Sequence, residues 1–438
     1  MDTQKVNRRT VLGRAAVGAA ALAAGGLSGP LTARAARPSA GPVTVTIWGW
    51  WDIRMKIYRD AAVDFMKENP DIKVKVVTFA GGATMQQKIY SSLAAGTGPT
   101  MLKMSPDYFS MRDRGLLVPY PTDIFPDSWF REHYPGFDLA IYGRYVLPQG
   151  SMPSILAYNK RMLHEAGIMS PPRTWDELIA AAKKLTKRDA KGKILLSGFV
   201  PGTDQFAQMD LLYQLGGRIA QHQAGQSKAT FVTPQMTQVY QFLTDLVLKH
   251  RIWSPTFLAS EQALGTGKAA MTLCESYQIG DWQNYYSPKF VRDLAFAAPP
   301  TPSGRPNPSY GHKKLVMDLS VMTGRPSDET AAAFRFAEYI QKKRLDIQYR
   351  HVALNTMAPL RKELQTYPQV VSSPSLRFMA GLPPHETDPI QELDSVIQIL
   401  NDVLTQILVS KQSIPNALQY GQTQVQGLID KGLAKYLR

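Results

Sequence analysis

Trp48-Gly49-Trp50-Trp51-Asp52 is the segment whose residue types could do the most specific chemistry, with three tryptophans in four positions ending on a carboxylate. An indole plane stacks on the apolar CH face of a pyranose ring, while a carboxylate accepts hydrogen bonds from the hydroxyls around it. The same residues have a plainer use, since one or two of the tryptophans can pack between a sheet and the next helix. Constellations for catalysis are lacking. No acid pair sits in a recognisable hydrolase motif, no nucleophile-elbow pattern occurs, and the seven histidines show no His-x-x-x-His spacing. Gly265-Thr266-Gly267-Lys268 lacks the earlier glycine and the following Ser or Thr of a phosphate loop. The single cysteine, Cys274, excludes an internal disulfide and a multi-cysteine zinc site. It follows the apolar run Ala269 to Leu273 and is expected as a buried small hydrophobe. No metal site and no cofactor are expected.

The elements that must position the aromatic cluster alternate strand and helix. Val43 to Trp48 is rich in β-branched residues and bounded by Gly49, which predicts a strand. A helix follows, with Ile57, Ala61, Phe65 and Met66 on one face, and Asn69-Pro70 ends it. Ile72 to Phe79 is a second strand, so the order reads βαβ. A helix from Met85 to Ala95 and a short apolar strand at Met101 to Met104 repeat it. This order predicts a parallel sheet covered by helices, with ligands at the carboxyl ends of its strands. Further on, Thr174 and Glu177 have the spacing of a capping box opening a helix at Trp175.

Several blocks carry a family resemblance. Gln87-Lys88-Ile89, Leu93 to Pro99, Arg114-Gly115-Leu116-Leu117-Val118-Pro119, Tyr158-Asn159-Lys160, Ala166-Gly167-Ile168, Thr174-Trp175-Asp176-Glu177-Leu178, Gly267-Lys268-Ala269-Ala270-Met271 and Phe334 to Ile340 occur in order. Together they resemble family 1 extracellular solute-binding proteins, the capture components of ABC importers. The resemblance implies a two-lobed periplasmic-binding-protein fold, α/β, each lobe a mostly parallel sheet flanked by helices, with ligand held in the cleft between. It implies crossings near Gly143 to Pro148, at Tyr310-Gly311-His312 and after Leu364. Lobe 1 would then be residues 41–146 with 313–364, and lobe 2 residues 147–312 with 365–438. Beside Trp48, Trp50, Trp51 and Asp52, it marks Gln86, Ser105, Asp107, Tyr108, Ser151, Asp204, Glu275, Tyr277, His312 and Arg361 as lining the cleft. Asp204 stands in a turn-like Pro-Gly-Thr-Asp sequence and reads equally as a solvated turn. Departures concern the ligand: Thr100 stands where the family usually has Asp, Glu275-Ser276-Tyr277 replaces Gly-Pro-Trp, and Pro389 to Leu393 has no aromatic.

Arg8-Arg9 ahead of an Ala/Gly/Leu stretch ending near Ala33-Arg34-Ala35 resembles a twin-arginine export signal, so residues 1–35 are expected to be removed. The stretch is interrupted by Arg14 and followed by Pro30, which disfavours a membrane anchor, and no lipid-anchor Cys follows it. Of the formal charge of +15, six basic residues against Asp2 lie before Gly41, leaving about +10 on the mature chain. The remaining Lys and Arg are scattered and no nucleic-acid motif occurs, so nucleic acid is not an expected partner. The expectation is a monomeric periplasmic or extracellular protein with a small carbohydrate ligand and a membrane permease as partners. The runners-up are an acidic ligand such as a uronate or glycerol phosphate, a secreted carbohydrate-active enzyme, and a binding module serving a chemoreceptor.

Overall fold

In a computed structural model, residues 41–79, 83–103, 108–202, 207–223, 226–303, 311, 313–382 and 394–433 are described. Strand β1, Val43–Trp50, alternates as its sequence does, and Val45 and Ile47 have no exposed surface. Helix α1, Asp52–Glu68, returns the chain to β2, Ile72–Phe79, which runs parallel to β1 from Val43 opposite Ile72 to Trp50 opposite Phe79. The buried face of α1 is Met55, Tyr58, Ala61, Ala62 and Phe65. After α2, Ala83–Ala94, strand β3, Met101–Lys103, lies parallel on the other side of β1. A late strand, Leu319–Met322, then inserts antiparallel between β3 and β4, Leu117–Val118.

A second sheet is centred on β5, Pro148–Asn159. Its expected parallel sense is corrected here: Met271–Glu275, Leu294–Ala297 and Lys313–Met317 all pair antiparallel with β5. The cause lies in the chain path. β5 leads out of the crossing at Pro148, and Lys313–Met317 brings the chain back to the same point, with Met317 opposite Pro148, so the two must run in opposite directions. Among the described residues of this part of the chain, parallel pairing survives as isolated bridges, Thr174 with Thr301, Ser197 with Ala269 and Val200 with Thr272.

Each sheet owns a core. One gathers Ile47, Tyr58, Phe65, Phe125, Phe130 and Phe336, the other Leu156, Phe199, Tyr240, Leu400, Val403 and Val425. These two main cores, beside three smaller clusters, are the physical basis of two lobes. Where the chain passes between them the interior is polar. Tyr58 donates to the Asp318 carboxylate, Gln149 Nε2 donates to the Tyr58 hydroxyl at 3.2 Å, and Lys103 Nζ donates to Gln149 Oε1 at 3.2 Å and to the Met317 carbonyl. Gln341 Nε2 reaches the second Asp318 oxygen at 3.0 Å. Such a buried network is stable only when its members are satisfied, and it ties β3, β5, α1 and the Met317–Leu319 turn into one unit.

Local expectations are met in detail. Thr174 Oγ1 accepts from the Glu177 amide at 3.2 Å, while the Glu177 carboxylate accepts from the Arg173 amide at 2.7 Å, one residue earlier than a strict capping box. Cys274 is buried. Among the described residues no helix is long and apolar enough to cross a membrane.

Candidate ligand cleft

The turn from β1 into α1 is made by Trp51, at φ 59° and ψ 106°, a backbone region that L-residues other than glycine rarely occupy. Holding a bulky residue there costs about 1–3 kcal/mol, and such strain clusters at functional positions. Its effect is to turn the indole outward: Trp51 is 46% exposed, its ring 6.2 Å from that of Trp50 in an edge arrangement. One helical turn on, Arg54 places its guanidinium 4.0 Å from the centre of the Trp51 ring.

Arg54 also faces the other lobe. Its guanidinium lies 5.5 Å from the ring of Tyr277 and 3.7 Å from Asp281, both on the helix Tyr277–Tyr285 that packs beside β5. Among the described residues Asp281 is its only ion-pair partner, and no hydrogen bond to the guanidinium is found. Burial pulls the Arg54 pKa below its ordinary value against the opposing pull of Asp281, and burial raises that of Asp281 against the pull of Arg54. Each charge is thus poorly solvated and only loosely met by the other. A ligand hydroxyl, which accepts from one and donates to the other, would satisfy both.

The structure brings Trp50, Trp51 and Tyr277 together, with Glu275 two residues before Tyr277 and close enough for its charge to act on Arg54. Trp48 and Trp50 both rest against the first core, and Trp48 meets Phe79 edge-on at 5.0 Å with Lys88 Nζ 5.9 Å above it. Asp52 is exposed and accepts from Arg59 at 2.7 Å and from the Thr78 hydroxyl at 3.3 Å, so its carboxylate holds the start of α1. Tyr108 has no exposed surface and donates to the Tyr142 carbonyl, because its short helix turns Tyr108, Phe109 and Met111 into the first core. Ser151 is also fully buried, its backbone bridged to Ala358, and its hydroxyl has no partner. Arg361 is inside as well, donating to the Gln341 carbonyl and to Glu363 at 2.9 Å. Gln86 lies on α2, but its side chain, like Ser105, Asp107, Asp204 and His312, falls outside the described residues.

Arg54 and Asp281 escaped the sequence reading. The available signal was spacing: Arg54 follows Trp51 by three and Asp281 follows Tyr277 by four, so each shares a helix face with an aromatic residue already marked.

The model of the family described as bacterial extracellular solute-binding protein matches residues 51–344, more than half of the chain. The chain belongs to that family. The matched span starts at the strained Trp51 and takes in Arg54, Tyr277 and Asp281. Among extracellular solute-binding proteins, the arabinooligosaccharide-binding protein of Halalkalibacterium halodurans is 26% identical over 48% of this chain and 47% of its own length, so the match spans about half of that relative. The putative ABC transporter periplasmic-binding protein YcjN of Escherichia coli is 22% identical over 84% of this chain and 88% of its own. Among solved structures, the GacH receptor of Streptomyces glaucescens, studied unliganded and with acarbose, superposes with a TM-score of 0.73 at 20% identity, covering 90% of this chain and 98% of that one. The chain therefore has the two-lobed fold of a solute-binding protein.

Proposed function

We propose that the protein captures a neutral mono- or oligosaccharide between its lobes and delivers it to an ABC permease when the lobes close. The observation that carries this reading is the group Trp51, Arg54, Tyr277 and Asp281, which joins two aromatic rings, one cation and one anion from two lobes around a point where a sugar ring can stack and hydrogen-bond. One cation and one anion leave the group without net charge, which favours a neutral ligand, and the relative named for arabinooligosaccharide and the structural neighbour solved with acarbose support a sugar. Arg54, whose guanidinium has no hydrogen-bond partner among the described residues, supports a second reading in which a uronate carboxylate takes the guanidinium. Contacts from both lobes would bind the closed state better than the open one and so shift the population toward it. Binding without turnover is the proposed outcome.

We propose lobe limits of residues 41–146 with 313–364 for one lobe and 147–312 with 365–438 for the other; the first main core supports the first of these over most of its length. Export by the twin-arginine route rests on Arg8 and Arg9, and Arg8→Lys with Arg9→Lys should retain the precursor inside the cell. A thermal-shift screen of the mature protein against sugars, sugar acids, polyols and phosphate esters tests the ligand, because anything that binds only the folded state raises its melting temperature. A shift with neutral sugars and no released product supports the reading. A panel in which no sugar or sugar acid shifts the protein, or in which purified protein cleaves an oligosaccharide, overturns it.

A further inference from the structure

The lobe centred on β5 contains a second cavity, of about 150 Å3 and partly open to solvent, lined by residues of the helices Ala207–Gln214, Pro234–Leu248 and Asp394–Leu408 and by Trp253. None of its lining residues belongs to the Trp51, Arg54 and Tyr277 group. Val409, 66% exposed, stands at its rim.

Two polar atoms in its walls are unmatched. Gln208 is 4% exposed and Trp253 5% exposed, yet neither Gln208 Oε1 nor Trp253 Nε1 has a hydrogen-bond partner. The Gln208 amide is oriented by its other end, since Nε2 donates to Asn401 Oδ1 at 3.1 Å and leaves the carbonyl oxygen as the open acceptor. An indole N–H can only donate. A buried donor and a buried acceptor left empty both destabilise the fold, so the cavity asks for an occupant that accepts from Trp253 and donates to Gln208.

The rest of the lining limits what that occupant is. Among the described residues lining the cavity none is charged, which disfavours an ion, while Leu243 and Leu404 supply apolar wall and Thr405 a further hydroxyl. A single ordered water needs only roughly 10–15 Å3 of such space, so the volume admits a small molecule. A hydroxyl group donates and accepts at once, and a carbon skeleton bearing two or three of them meets both polar atoms while lying against the leucines. We propose that this cavity is a second ligand site, separate from the interlobe cleft, for a small neutral polyol.

Indole 15N–1H spectra of the mature protein test this directly. Of the seven tryptophan indoles, the Trp253 resonance is the one removed by Trp253→Phe, and the other signals report whether that variant is folded. Glycerol and 1,2-propanediol are the probes, with glycerol 3-phosphate as the charged control. The expected result is a saturable shift of the Trp253 signal with a neutral probe, without a parallel shift of Trp51. Gln208→Leu should weaken that response about tenfold, the loss of one buried hydrogen bond. Ala207→Leu, which fills the cavity from its wall, should abolish it. Absence of saturation with either neutral probe, an equal response from Gln208→Leu, or an undiminished one from Ala207→Leu means that water alone occupies the cavity, and the proposal fails.

Discussion

Gly280 is in backbone contact with Leu354: a β-carbon added to Gly280 would overlap the carbonyl oxygen of Leu354. Gly280 lies on the helix that carries Tyr277 and Asp281, and Leu354 ends the helix Leu345–Leu354, whose Ile347 belongs to the first core. A carbonyl at a helix end cannot yield as a flexible side chain does. Gly280→Ala should therefore push the two helices apart, lowering stability by about 1–3 kcal/mol and altering the distance between Arg54 and Asp281. Urea denaturation reads the first effect, and a fall in ligand affinity by calorimetry the second. Unchanged stability and affinity would show that these helices can separate freely.

Trp51 should be dispensable for stability but not for binding. Trp51→Gly gives up the ring contacts but relieves the backbone at φ 59°, so stability should change by less than about 1 kcal/mol. Loss of a stacking face worth about 1.4 kcal/mol should cost roughly tenfold in sugar affinity. Trp282→Ala is the contrast, because that ring is fully buried and its loss should destabilise by about 3–5 kcal/mol.

Arg54→Met keeps the apolar stem and removes the donors. If Arg54 supplies charge-assisted hydrogen bonds to the ligand, affinity should fall roughly 10- to 100-fold, and burial should then raise the Asp281 pKa further. A double-mutant cycle with Asp281→Asn measures how much of the loss is shared between the two. Affinity equal to that of the parent would remove α1 from the binding site.

His351 predicts a pH dependence. Burial, reinforced by the charges of Lys103, Arg350 and Arg54, holds its pKa well below the ordinary value, and its ring lies 4.6 Å from that of Tyr58. The unfolded chain takes up a proton below about pH 6.5 that the folded chain refuses. The stability from the neutral ring is thus complete above that pH and is lost as pH falls, by about 1.4 kcal/mol per unit. Urea midpoints between pH 7 and pH 5 should show this slope. His351→Phe should flatten it; an unaltered slope would assign the acid sensitivity to other groups.

The β1, α1 and β2 unit, the cap at Thr174 and the burial of Cys274 were legible because each is decided by neighbouring residues. The antiparallel sense of the second sheet was not, since it depends on Lys313–Met317 returning to Pro148, a pairing between distant parts of the chain. The same distance hid Arg54 and Asp281, which acquire meaning only when the two lobes face each other. Among the tryptophans the letters are alike. What separates Trp48 from Trp51 is one backbone angle and the neighbouring Phe79. Tyr108 and Arg361 were marked by their place in a pattern of relatives, whereas their side chains satisfy partners within the first lobe and at its border.

The strand Leu319–Met322 lies between β3 and β4, so the first sheet cannot close until residues far downstream have been synthesised. At 5–20 residues per second, the roughly 200 residues after Val118 take about 10–40 s to emerge. The second core waits longer, because Leu400, Val403 and Val425 belong to it. A nascent chain of this kind leaves the ribosome with an unpaired edge on β3, and the interval in which a chaperone can hold it is set by the order of its strands.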